Sequence, residues 1–271
     1  MAVLGILRAE ALKQRRRLGG SKLVFFSMLL WPVLELAGAF YTVRPVMTAA
    51  AAERWPAAAD EHQLFAFLAT GALGFTFFFA QVQSAWHFSF ERQTGTLELL
   101  FLSPANRLVL VIANGAGALV QNTWVFTCFT AAMLTAFDVV RVAHPAMFVV
   151  VFLALLFPAV AWGALLNSLL IFSRDSAFLF ILFSEPMSFA SGVRLPVFAL
   201  PVWVGTIASL LPLTGSLVVV RGALLDGDGL GELAPHLLGL GALSAVLVVL
   251  AAVVLRVGEH RARRTGRLRL F

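Results

Sequence analysis

The chain has 271 residues, of which 60% are apolar and 13% charged, with a formal net charge of +6. A soluble domain carries roughly 45–50% apolar and about 25% charged residues. Composition therefore excludes a water-soluble globule of this size and requires lipid as part of the solvent. A single cysteine, Cys128, excludes a disulfide framework, a zinc site or a cysteine-ligated cluster within one chain.

The first 22 residues hold six basic residues and no apolar core long enough for a cleavable signal peptide. Leu4, Leu7, Ala11 and Leu18 share one helical face, while Arg8, Lys13, Arg15 and Arg16 fall largely elsewhere. That pattern predicts an interfacial amphipathic helix over residues 1–22, lying against anionic lipid. A plain basic anchor that only sets topology is the alternative. Apolar runs of the length a ~30 Å hydrocarbon core demands predict spans at residues 23–43, 63–86, 108–137, 146–172, 177–193 and 235–255. Pro32 is expected to kink the first. The run at Phe77, Phe78 and Phe79 reads as bulk facing lipid, with a greasy lateral pocket as the other possibility.

Residues 195–225 are apolar but broken by Pro196, Pro201 and Pro212. They read as two short helices that dip in from the outer side and return, with Arg221 and Asp226 back at the surface; a seventh full span is the alternative. Charge bias separates the two. With six spans and both termini inside, 15 of the 20 basic residues are cytoplasmic, and Arg44, Arg54, Arg141, Arg194 and Arg221 stay outside. A seventh span would carry the six arginines of the tail, 256–271, to the outer side, against the positive-inside rule.

The segment Phe90-Glu91-Arg92-Gln93-Thr94-Gly95-Thr96-Leu97-Glu98-Leu99-Leu100-Phe101-Leu102-Ser103-Pro104 lies on the cytoplasmic side between the second and third spans. Read as a helix over 88–104, it puts Glu91, Gly95 and Glu98 on one face. Pro104 ends it. Carboxylates and a bare glycine backbone would then face the cytoplasm, where another protein could approach closely. A solvated connector is the plainer reading.

Glu91-Arg92-x-x-Gly95-Thr96-x-Glu98-x-Leu100, followed by Pro104, resembles the signature of the type-2 ABC exporter permeases, the membrane subunits of bacterial ATP-driven exporters. A second block is similar to the same family's stretch between the fifth and sixth spans: Leu195-Pro196-Val197-Phe198-x-x-Pro201-x-Trp203, then Leu211-Pro212-Leu213-Thr214, then Arg221-Gly222-Ala223-Leu224. Arg194, just before the second block, departs from many relatives, which carry aromatic or small residues there. The resemblance implies one all-α transmembrane permease domain over 1–271, with a cytoplasmic coupling helix, an outer re-entrant hairpin and a basic tail. It implies pairing with a second permease, identical or homologous, and docking of two cytoplasmic ABC ATPase subunits at Glu91, Arg92, Gly95, Thr96, Glu98 and Pro104. The setting would be the bacterial inner membrane, with lipids as neighbours and no nucleic-acid partner.

A P-loop needs Gly-Lys-Ser/Thr, but Lys13 follows Leu12 and Lys22 follows Ser21. The chain is thus not expected to be an enzyme, and ATP and Mg²⁺ would sit on the partner ATPase, with no cofactor on this chain. The expected cargo is hydrophobic or amphipathic, such as a drug, antibiotic or lipid-like product; a polysaccharide or lipid-linked glycan is the second choice. A secondary transporter working alone would use Glu35 and Glu185 as ion sites. A carboxylate inside a span costs roughly 2.5–3.5 kcal/mol on insertion scales, so each is a candidate for the translocation path or the dimer seam, or else a structural carboxyl. Gln121, Asn122 and Asn167 read as interhelical glue. His62, His87 and His144 share no metal-ligand spacing.

Overall fold

The computed structural model describes residues 22–46, 58–93, 106–116, 118–136, 140–142, 144–173 and 175–265, with positions 5, 12 and 55. Every regular element among them is helical. In chain order they are α1 (Lys22–Val43), α2 (Glu61–Gln93), α3 (Arg107–Ala116), α4 (Ala118–Ala136), α5 (Met147–Leu170), α6 (Ser176–Ala190), α7 (Val202–Ser209), α8 (Pro212–Arg221) and α9 (Leu230–Thr265), with short 3₁₀ turns at Arg44–Val46 and Val197–Ala199. Residues 1–21 of the expected interfacial helix, apart from positions 5 and 12, and residues 266–271 of the tail lie outside the described residues, while Lys22 opens α1.

Three described helices are long and apolar enough to cross a membrane: α2 over Glu61–Ser89, α5 and α9 over Leu230–Arg261. The α7–α8 pair, bent by 88° at its break, makes a fourth if taken as one span. The chain is thus an all-helical protein whose helices suit multiple membrane passes.

Helix ends differ from the predicted span ends for a common reason. Hydropathy marks where lipid stops, whereas helix propensity continues through Glu, Arg and Gln. So α2 runs on to Gln93, and Phe88–Gln93 extend that helix rather than opening a separate one at residue 88. Likewise α9 is 36 residues long and takes in Arg256 to Thr265. Pro235, expected at its start, sits one turn inside, where it removes a single backbone bond. At the other extreme, α6 stops at Ala190 instead of 193, because Gly192 adopts a left-handed φ of 84° that ends the helix. Asp175 caps its start, accepting from the Phe178 N–H at 2.9 Å.

Two short helices do occupy 202–221. Pro201 precedes the first, and Pro212 starts the second, where a missing N–H costs nothing. A single π turn, Gly222–Asp226, follows and ends at Gly227 with φ 78°.

The core forms where α2 and α5 cross, with α8 against both and α9 along α5. Phe77 and Phe78 are fully buried there with Leu73, Leu155, Leu166 and Leu217. Phe77 and Phe78 are therefore core rather than lipid-facing bulk, with Phe79 partly buried against them: Phe77 stands edge-on to Phe126 of α4 and Phe152 of α5. Such edge-to-face pairs add about 0.5–1.5 kcal/mol beyond area burial.

Candidate functional site

Two polar clusters tie the bundle together. In the first, α2 sends the Gln81 side chain between α3 and α5. Its amide donates to the Gly115 carbonyl at 3.1 Å. Its carbonyl oxygen lies so near Gly115 and Gly163 that a Cβ on either would come within 2.6 Å of it. A side chain on either glycine would push that oxygen, which has no hydrogen-bond partner of its own among the described residues, out of its place. One turn on, Ser84 donates to the Asn114 carbonyl at 3.1 Å, and the Asn114 amide reaches the Ser84 carbonyl and Asn167 Oδ1. Asn167 closes the set on the Gly163 carbonyl at 3.0 Å. Three helices are cross-linked by these bonds, so the cluster holds them together. Interhelical bonds of this kind average about 0.6 kcal/mol each in membranes.

The second cluster surrounds the turn after α6. Arg221, the last residue of α8, lays its guanidinium 3.5 Å from the centroid of the Phe67 ring. The same group donates to the Gly192 carbonyl at 2.7 Å, the Phe67 carbonyl at 3.1 Å and Thr70 Oγ1 at 3.3 Å. It forms no ion pair among the described residues; carbonyl dipoles and a π face offset the lost hydration instead. Next to it, the Val193 backbone rests directly on Gly71 of α2. Arg194 pairs with Glu35 of α1. One turn, residues 191–196, is thereby bound to α1, α2 and α8 at once.

This geometry yields a first expected result. Arg221→Lys keeps the charge but loses the planar fork that serves three oxygens, and unpaired buried groups cost about 1–3 kcal/mol. The variant should melt at a lower temperature in detergent than the parent, and Arg221→Met lower still. Equal melting of the lysine variant and the parent would show that the fork is not needed.

The sequence-predicted residues fall in separate places. Glu35 pairs with Arg194. Glu185 is exposed on α6 beside Ile181, Leu182 and Phe189, facing away from the bundle, and makes no hydrogen bond or ion pair among the described residues. Arg221 is half-buried and bonded to α2. Pro196, Pro201 and Pro212 delimit the short helices of the 195–225 stretch. Glu91 and Arg92 lie on the last turn of α2; Gly95, Thr96, Glu98 and Pro104 lie outside the described residues. Of the expected glue residues, Asn167 acts as glue, whereas Asn122 is fully buried with both amide atoms unbonded. Gln81, Asn114 and Thr70 carried no spacing that would single them out.

The chain matches no protein-family model and no curated protein.

Proposed function

We propose that the chain is the six-span membrane subunit of an ATP-driven exporter, moving a hydrophobic or amphipathic substrate by alternating access in partnership with two ABC ATPase subunits and a second permease. The observation that carries this reading is the segment Glu91 to Pro104, which resembles the exporter signature and joins α2 to α3. The second resembling block, between α6 and α9, supports it. In this reading α1, α2, α3 with α4, α5, α6 and α9 cross the membrane, with both termini in the cytoplasm of a bacterial cell. The arms of the bent pair are Val202–Ser209 and Pro212–Asp226, 8 residues and 10 plus 5 residues, about 12 and 22 Å. Neither can cross a ~30 Å core alone, and an 88° bend keeps them from adding up to one straight span. That favours a re-entrant hairpin and keeps the tail arginines inside. Polysaccharide or lipid-linked glycan cargo is the second reading.

The test is purification of the tagged chain from native membranes. An ATP-hydrolysing subunit should come with it. Transport by the chain alone, without ATP, would instead favour a secondary transporter, for which Glu35 and Glu185 were the candidate ion sites.

A further inference from the structure

Helix α5 carries Pro158 in its middle. Proline has no N–H, so the Ala154 carbonyl loses the donor that a helix supplies four residues on, and the ring crowds that carbonyl as well. Ala154 is buried, where an unbonded carbonyl is costly. A transmembrane helix keeps such a proline when a serine or threonine serves the freed group. Here the donor comes from α8: the hydroxyl of Ser216, fully buried, donates to the Ala154 carbonyl at 2.8 Å. A second acceptor lies within reach of the same hydroxyl, the Pro212 carbonyl of its own helix at 3.1 Å. That carbonyl already receives the Ser216 N–H in the helical ladder. A hydroxyl has one proton to give. The Ala154 carbonyl, stripped of its ladder donor, has first claim on it, and Pro212 the second.

The two halves of α5 are held differently. Beyond Pro158, the Gln81 amide lies against Gly163, and Asn167 is bonded to Asn114, so that half is fixed to α2 and α3. Before Pro158, Met147 to Phe157 has no polar side chain at all, and Ser216 supplies the polar tie at the joint. Helix α8 is itself seated between neighbours: Leu213 and Leu217 lie on Gly74 of α2, and Leu240 of α9 lies on Gly215. We infer that Ser216 is a reversible latch on a proline hinge in α5. Seated, α8 supplies the missing bond and keeps α5 stiff at Pro158. When α8 draws back, the hydroxyl turns to the Pro212 carbonyl and is not orphaned. The Ala154 carbonyl then tilts out of the ladder, and the half Met147–Phe157 swings against the anchored half, bending at the proline, where helices kink sharply. The latch belongs to the fold and depends neither on the cargo nor on an ATPase.

Amide hydrogen exchange, followed by mass spectrometry on the tagged chain as purified from native membranes, reads the hinge. In Ser216→Ala, peptides covering 150–160 should exchange about fivefold faster than in the parent or more, since a buried carbonyl loses its donor. Peptides covering 163–170 should stay within about twofold, because local opening is confined to the unit that is loosened. Ser216→Cys, close in size but a weak donor, should act in the same direction. In Pro158→Ala the new N–H returns to the Ala154 carbonyl, so adding Ser216→Ala there should change exchange by less than about twofold. That background separates the latch from a general loss of packing at position 216. Equal acceleration with and without Pro158, or no acceleration in either serine variant, overturns the latch. Acceleration that runs evenly through 163–170 overturns the hinge.

Discussion

Gly71→Leu is expected to be the most destabilising single change in α2. A Cβ at Gly71 would sit 2.2 Å from the Val193 carbonyl oxygen and 2.9 Å from its carbon, distances that real Cβ atoms do not adopt. The neighbour is backbone, not a side chain that can swing aside. It cannot retreat either, since Arg221 holds the adjoining Gly192 carbonyl and Glu35 holds Arg194. Overpacking a core with flexible neighbours costs about 1–3 kcal/mol, occasionally more; here the turn must lift off, and the Arg221 contacts go with it. The variant should express poorly and melt well below the parent in detergent. Gly38→Leu in α1 is the control: nothing lies within 4 Å of a Cβ there, and helix propensity favours leucine by up to about 1 kcal/mol. If the two variants melt together, the turn does not rest on Gly71 as described.

Glu98→Arg and Gly95→Trp are expected to have the largest effect on activity. Both lie in the segment proposed to meet the ATPase, outside every predicted span, so both should insert and accumulate normally. Reversing a charge at a complementary interface can cost several kcal/mol, and a tryptophan at Gly95 would block close backbone approach. Transport should be lost in each, through weaker co-purification of the ATPase or through hydrolysis that no longer responds to substrate. Arg263→Glu, a similar reversal in the tail, should be mild. If Glu98→Arg and Gly95→Trp transport like the parent, the segment is a solvated connector and the exporter reading loses its strongest support.

Helix positions were legible from the sequence because apolar length and Pro/Gly punctuation are local signals. Helix α1 is predicted within one residue, and the pair of short helices after Pro196 follows from three prolines. What each helix faces was not legible. In a soluble protein an apolar residue points inward, but lipid is as apolar as leucine, so the sequence does not distinguish core from lipid-facing positions. Phe77 and Phe78 are buried for that reason without any local mark, while Phe178 and Phe189 of α6 are exposed. The polar contacts were hidden by distance along the chain. Glu35 meets Arg194, and Arg221 meets Phe67, Thr70 and Gly192, across 29 to 159 residues. Each taken alone looked like an intramembrane carboxyl or a surface cation.

The amide of Gln81, seated over two glycines of other helices, has a consequence for descent. A side chain at 115 or at 163 would meet first the end of the long side chain at 81, which occupies the space between them. A lineage that shortens residue 81 is freed to enlarge the other two, and one that enlarges either first is penalised until residue 81 gives way. Sizes at the three positions are therefore expected to change together in descent. Substitutions tolerated in a distant relative would then be harmful when moved singly into this chain.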